Sequence, residues 1–578
     1  MRRSRPRCVL PADRGDFSMR LPLTAIVLGG LLCAGTILSR PLLPPDETRY
    51  LTVAWESLQR GDFLVSHLNG ETYAHKPPLL FWLINLAWWI FGEGELAARC
   101  IAPLVSLLSV FLTWRLGLQL WPGAAVRAGM AALMHVSCLL WMYFSPVTMF
   151  DTLLTVFVQG ALLGALRAAS GDGRGLWQSG ICMGLGILSK GPVLLVFVLP
   201  ALLAGRFAMP VSRERRWLAG VLSSVLLAAL VALAWVIPSA ISGGEAYSQE
   251  LLFGQTAGRM VNSFAHRQPF WFYAAVLPPS LLPWLLFGSV WRGLRGCWSD
   301  QGIRFSAVWL GAAFVILSAV SGKQPYYILP AIPAAALLLA AAADRGGRQL
   351  HWSDLLPVIC GTLLLGAVPL AVNALSVFTR SGLPGLINSG ESLVLMAVAL
   401  PLLLVRRCSV QVAVTAVALS AIVFQVILVN SLTDTLWNGF DLRPMAAFVG
   451  RSQRPAGWFG GYHGQLNYLG RLPHVAELAV ESDVVRWLSA KPDGLLIVRL
   501  PQSDSVSAGE LYSRLKKHDR EPVPRSEQAE LAAALAAALE LPDESRMRGV
   551  VYVQWVRSGL REQPYAILEF GEQHSAVE

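Results

Sequence analysis

Thirteen apolar runs of spanning length or slightly less follow one another near 21–39, 97–118, 128–145, 149–168, 176–189, 192–205, 217–240, 271–290, 305–322, 326–343, 353–375, 392–405 and 411–431. A crossing helix needs about 20 predominantly apolar residues, and lipid accepts only helices or closed barrels. The pattern therefore predicts a polytopic α-helical membrane protein with about 13 transmembrane helices. A chain 54% hydrophobic and 15% charged, with 20 tryptophans, has the matching composition. The pair at 176–205 is short for two spans. Leu79–Phe91 is too short to cross and reads as an interfacial or re-entrant helix.

The arginines set the threading. With a cytoplasmic N-terminus, alternate loops carry Arg115/Arg127, Arg167/Arg174, Arg206/Arg213/Arg215/Arg216, Arg292/Arg295/Arg304, Arg345/Arg348 and Arg406/Arg407. Every dense cluster then lies inside, as the positive-inside rule requires. The net charge of +10 thus points to membrane topology rather than nucleic acid. Crossing at Leu79–Phe91 would place those clusters outside. The basic Met1–Arg20 leads into a first span read as uncleaved, with Met1 or Met19 as the start. The eight cysteines show no paired spacing, which disfavours a disulfide framework or zinc motif.

Beyond Ser431 the sequence turns mixed polar. Strand-like runs Gly494–Leu500, Gly549–Val556 and Tyr565–Phe570 alternate with helical patterns at Ser482–Ser489, Ser507–Lys517 and Ser526–Leu539. The expected organisation is a transmembrane domain at 1–431, with outer loops 40–96 and 241–270, and a small soluble α/β domain at 432–578 on the outer, periplasmic side.

Only three lysines occur before residue 490: Lys76, Lys190 and Lys323, each in a short polar segment beside an apolar run. Lysine binds phosphate as a compact point charge, which arginine does not replace. The threading puts all three on the outer face with Asp46, Glu47, Arg49, Asp151, Arg259 and His266. An anionic lipid handled at that face is the functional reading. Interfacial headgroup contact is the bland one for any single lysine. Asp46 and Glu47 suit either a general base restrained by Arg49 or the first turn of a helix after Pro45. Asp151 is either a second carboxylate or a first-turn residue. His75 and His266 are candidate ligands for a divalent metal ion, although such distant histidines make a poor metal signature. Tyr326 and Tyr327 are belt aromatics or a headgroup platform.

There is no Asp-x-Asp, Walker loop or Gly-x-Gly-x-x-Gly anywhere. A nucleotide-sugar enzyme with Asp-bound metal and ATP-driven transport within this chain are both disfavoured.

The block Asp46-Glu47-Thr48-Arg49-Tyr50, Arg60-Gly61-Asp62-Phe63-Leu64-Val65, Leu68-Asn69-Gly70-Glu71-Thr72-Tyr73 and Lys76-Pro77-Pro78-Leu79-Leu80-Phe81-Trp82 resembles bacterial GT-C glycosyltransferases. The similar groups are the aminoarabinose lipid A transferases and the protein O-mannosyltransferase-like enzymes. Leu188-Ser189-Lys190-Gly191-Pro192, His266-Arg267-Gln268-Pro269-Phe270-Trp271 and Ser321-Gly322-Lys323-Gln324-Pro325-Tyr326-Tyr327 continue the resemblance in order, over roughly residues 20–335. One departure is His75 before the first lysine, where the aminoarabinose transferases typically have Glu.

The resemblance implies an inverting transfer of sugar from a polyprenyl-phosphate donor to a lipid A, glycan or protein acceptor, on the periplasmic face of the bacterial inner membrane. It matches Asp46 to the catalytic acid position and Asp151 to the second carboxylate. Lys76, Lys190, Arg259 and Tyr327 match positions handling donor phosphate, and His266 a position linked to phosphate or metal. Glu47, Arg49, Tyr73 and Lys323 complete the expected substrate-binding set. A transporter or flippase, or a polymerase or ligase of lipid-linked sugars, is the alternative. Span interiors nearly free of charge favour surface chemistry over a transport pathway.

Overall fold

A computed structural model describes residues 14–570 apart from 212–213, 253–266, 296, 348–349, 380–386, 406, 501–505, 540–546 and 559–560. The chain divides into two compact units, one of Met1–Ser39 with Ala74–Leu432, the other of Arg40–Tyr73 with Thr433–Glu578. This boundary differs from the one the sequence predicts: 40–73, expected as an outer loop of the transmembrane domain, packs with the C-terminal residues.

The first unit is helical. Among the described residues eight helices are long and apolar enough to cross a membrane: Arg20–Ser39, Glu95–Leu120, Phe150–Ala169, Glu214–Leu252, Gln301–Ala319, Pro325–Arg345, Trp352–Ala374 and Val410–Ser431. Four shorter apolar helices are Leu79–Phe91, Ala125–Val136, Leu194–Leu203 and Ser389–Leu403. Each of the thirteen predicted runs is helical in part, but not every run is one crossing helix. The run at 271–290 breaks into Phe272–Ser280, a 3₁₀ turn at Trp284–Leu286 and Gly288–Gly293. Pro278, Pro279 and Pro283 lie within it, and proline removes the donor a continuous helix needs.

Helix faces sort by environment. Leu218, Leu222, Leu226, Leu230, Leu233, Ile237 and Ile241, three or four residues apart on Glu214–Gln249, are all exposed and form a lipid-facing stripe. Helix Ile332–Arg345 is nearly all buried, and its alanines let neighbours come close. One close approach joins Phe150–Ala169 to Arg174–Lys190: a Cβ added at Gly175 would lie 2.2 Å from the Gly164 carbonyl oxygen. These two helices form an antiparallel hairpin, so the first turn of one and the last turn of the other share an end.

The second unit holds a five-stranded sheet, order β4-β3-β5-β7-β6. Its strands are β3 (Ala456–Phe459), β4 (Ala476–Leu478), β5 (Leu495–Arg499), β6 (Met547–Ser558) and β7 (Arg561–Phe570). β3 pairs parallel to β4 and β5, and β7 antiparallel to β5 and β6. β5 is apolar throughout its buried length because both faces are covered. Leu496 and Val498 join a cluster with Val484, Leu488, Leu511 and Leu535, whereas Leu495 and Ile497 pack with Met445, Ala446 and Val449. Segment 40–73 adds helix Asp46–Arg60 and the hairpin β1 (His67–Leu68) and β2 (Glu71–Thr72). It is sewn to the C-terminal part by Thr52 Oγ1 donating to the Gly464 carbonyl at 2.7 Å and Asn69 Nδ2 donating to the Val475 carbonyl at 2.8 Å.

Candidate active site

In the first unit the hairpin places Asp151 in the first turn of Phe150–Ala169 and Lys190 at the end of Arg174–Lys190. The Lys190 ammonium donates to Asp151 Oδ1, with the two side chains 13% and 4% exposed. Lys190 Nζ also sits 4.4 Å from the Tyr327 ring centroid and 5.6 Å from that of Tyr326. Tyr326 packs edge-on against Phe144 at 5.5 Å. One cation is thus held by a carboxylate and two aromatic faces, an arrangement that strengthens as water is excluded.

The other lysines gather at this end. Lys76 Nζ lies 5.6 Å over the ring of Phe150, the residue before Asp151. Lys323, four residues before Tyr327, is 3% exposed and donates to the Gln268 carbonyl at 2.9 Å. Loss of hydration holds its pKa below the ordinary lysine value. The Arg267–Gly322 bridge fixes that strand-like contact, and Tyr273 Oη donates to the Gln324 carbonyl at 3.0 Å.

Arginine ion pairs occupy the opposite helix ends. Arg127 bonds Asp344 at 2.8 Å and Asp300 at 3.4 Å, and Arg292 pairs with buried Asp354. Asp300 caps the start of Gln301–Ala319, whose other end leads to Lys323. The end of the bundle that gathers Lys76, Lys190 and Lys323 is thus distinct from the end that holds the Arg127 and Arg292 ion pairs.

His75 Nε2 lies 2.8 Å from Glu250 Oε1, both side chains about half exposed. Among the described residues no three His, Cys, Asp or Glu side chains come together to hold a metal. Arg259 and His266, expected as a phosphate contact and a metal ligand, lie outside the described residues.

In the second unit, Asp46 and Glu47 open helix Asp46–Arg60 with different fates. Glu47 is 0% exposed, accepts from Arg40 at 2.5 and 3.2 Å, and takes the Leu43 N–H at 2.9 Å. Those bonds commit it to holding the chain entry, a structural place rather than an open binding one. Asp46 is 47% exposed, accepts from Arg49 and takes the Tyr50 hydroxyl at 3.3 Å. Burial pulls the Arg49 pKa down, but Tyr73, Tyr50 and Asp46 outweigh it and raise the pKa, so the guanidinium stays charged. Tyr73 is buried. Arg40 was not singled out by the sequence, although a lone arginine seven residues before Glu47 is the available signal.

The comparisons with known proteins fit this architecture. Residues 75–241 match the family model described as dolichyl-phosphate-mannose-protein mannosyltransferase. The undecaprenyl phosphate-alpha-4-amino-4-deoxy-L-arabinose arabinosyl transferase of Edwardsiella ictaluri is 32% identical over 349 residues, 58% of this chain and 62% of the relative. The enzyme of the same name from Serratia proteamaculans is 29% identical over 316 residues, 53% of this chain and 56% of the relative. The match thus spans less than two thirds of these relatives. The crystal structure of ArnT from Cupriavidus metallidurans bound to undecaprenyl phosphate superposes with a TM-score of 0.67 at 19% identity, covering 96% of this chain and 98% of that one. The chain is thus similar in sequence to aminoarabinose transferases over part of its length and shares the fold of the ArnT structure. The shared fold extends over nearly the whole length, whereas detectable sequence similarity is confined to little more than half.

Proposed function

We propose that this GT-C protein is an inverting glycosyltransferase that moves a sugar from a polyprenyl-phosphate donor to an acceptor in the cell envelope. The names of its relatives make undecaprenyl-phosphate aminoarabinose the first donor to test and lipid A the first acceptor, ahead of another glycan or a protein. The observation that carries the reading is Lys190, held between the Asp151 carboxylate and the Tyr327 ring at the end where Lys76 and Lys323 also lie.

The departing lipid phosphate develops negative charge as the glycosidic bond breaks, and preorganised cations stabilise that charge. Lys190, Lys76 and Lys323 take this role, with Arg259 as a further expected cation and His266 as an expected phosphate contact. Tyr327 fixes the ammonium it covers, and Asp151 positions Lys190. Asp46, accessible and oriented by Arg49 and Tyr50, takes the proton from an acceptor hydroxyl as oxygen attacks the anomeric carbon from the face opposite the leaving phosphate. An acceptor phosphate is already ionised, and toward it Asp46 orients rather than deprotonates. Tyr73 supports Arg49. Of the two residues named as metal ligands, His75 belongs to no group of three donors among the described residues and His266 lies outside them, so the steps rest on the cations and Asp46 alone.

The reading places the chain in the bacterial inner membrane, with the N-terminus cytoplasmic and the lysine-bearing face and the C-terminal domain periplasmic. Purified full-length protein incubated with radiolabelled undecaprenyl-phosphate aminoarabinose and lipid A tests it. Transfer of label that fails in Lys190→Ala supports the proposal. Movement of the labelled lipid across vesicles without transfer would replace it with a flippase.

A further inference from the structure

At the arginine end of the first unit, four residues from two loops and a helix line an open cleft of about 530 Å³: Arg206, Phe207, Trp298 and Arg304. It is remote from the lysine cluster. Arg304 lies in the first turn of helix Gln301–Ala319, and the rest of that helix, about 22 Å long, separates it from the turn that carries Lys323.

The cleft is built rather than incidental. Arg304 Nε donates to the Phe207 carbonyl at 2.8 Å, and its Nη1 donates to the Trp298 carbonyl at 2.8 Å and the Ser299 carbonyl at 3.2 Å. These bonds join the 205–207 and 297–299 turns and fix the guanidinium plane, which lies 5.6 Å from the Phe207 ring centroid. Nη2 has no bond to a described residue and remains for a ligand. Arg206 is exposed and makes no ion pair among the described residues. Phe207 and Trp298 are both exposed, as suits aromatics seated at the lipid–water interface.

The nearby charge favours an anion. Helix Glu214–Gln249 starts beside the 205–207 turn with Glu214, Arg215 and Arg216, one acid against two bases. A Cβ at Gly205 would come 3.3 Å from Glu214 Oε1, which places that carboxylate beside the backbone of the turn. Asp300 is engaged elsewhere: it caps Gly302 and Ile303 and takes the Trp121 indole N–H at 2.9 Å.

We propose that this cleft binds the phosphodiester headgroup of an anionic phospholipid on the membrane face opposite the lysine cluster. Arg304 and Arg206 clamp the phosphate, and Phe207 and Trp298 rest on the glycerol and upper acyl chains. Planar guanidinium groups suit phosphate oxygens, and the aromatics demand a ligand with an apolar part.

The test is native mass spectrometry of the full-length protein released from micelles containing phosphatidylglycerol, phosphatidylcholine or inorganic phosphate. Wild type is expected to retain phosphatidylglycerol, and Arg206→Glu to retain on the order of fivefold less, the loss of one charge-assisted contact. Arg486→Glu, on the solvent-exposed face of helix Glu481–Ala490 in the second unit, should not change the count. Phosphatidylcholine retained as well as phosphatidylglycerol, or equal retention by wild type and Arg206→Glu, overturns the proposal. Displacement of the lipid by millimolar inorganic phosphate would assign the site to free phosphate and overturn the lipid assignment. Arg304→Lys serves as a second variant that keeps charge but loses the fork, and it too should lower retention.

Discussion

Asp151 and Lys190, thirty-nine positions apart, form a buried ion pair because a glycine-lined hairpin returns the chain to its starting end. The same contact sets Lys190 under Tyr327. A positioned charge in the bundle thus follows from how closely two helices can lie.

Lys190→Ala should lower transfer on the order of 10²–10³-fold, the scale of removing one preorganised electrostatic contact. Lys190→Arg should not rescue it, since the longer, planar group does not fit between the Asp151 carboxylate and the Tyr327 ring. Steady-state rates with labelled donor would check both. Full activity in the arginine variant would show that charge alone suffices.

Asp46→Asn should reduce transfer to a hydroxyl acceptor by about 10²–10⁴-fold while leaving the protein folded, because Asp46 is accessible and not a packing residue. With an acceptor phosphate the loss should be far smaller. Parallel assays with the two acceptor types would distinguish deprotonation from orientation.

Glu47→Gln should act on stability instead. It weakens a fully buried pair and leaves the Arg40 charge without its counter-ion, a loss of about 3–5 kcal/mol where one partner of such a pair is removed. A lowered thermal midpoint in detergent for Glu47→Gln, beside a normal one for Asp46→Asn, is the expected result. Equal midpoints for both would contradict the division of labour between these adjacent acids.

Gly175→Ala should separate the hairpin, since its Cβ would meet the Gly164 carbonyl oxygen at 2.2 Å. Overpacking of this kind costs about 1–3 kcal/mol and should also loosen the Lys190 contact. Gly30→Ala, where a Cβ meets nothing within 4 Å, is the matched control. Both folding yield and transfer rate should fall in the first variant and hold in the second.

Burial holds the Glu56 carboxyl above its ordinary value of 4.5, even though the Gly70 and Asn69 backbone N–H groups favour the anion. Below 4.5 both states carry the proton. As pH rises past that point the unfolded chain releases its proton first, and the native state loses stability until the raised folded pKa is passed. Glu56→Gln should flatten that part of the profile. Unfolding midpoints at pH 4 and pH 7 would show it, and an unchanged slope would refute it.

The helical runs, the gathering of the three lysines at one end and the β5, β6 and β7 segments could all be read from order along the chain. Each follows from a local rule: an apolar stretch must meet lipid or another apolar face, and charge must stay at its ends. β3 and β4 could not, because four- and three-residue strands carry too little periodicity to stand out. Three further features needed the folded chain. Segment 40–73 belongs with residues 433–578 through bonds such as Thr52 to Gly464 and Asn69 to Val475, which join residues about four hundred positions apart. Asp46 and Glu47, indistinguishable as neighbours in one helical turn, part company because only one of them faces Arg40. Lys190 finds Asp151 only because Gly164 and Gly175 let two backbones touch. Local pattern reports what each stretch needs to bury; which distant partner meets that need depends on packing, and packing is a property of the whole chain.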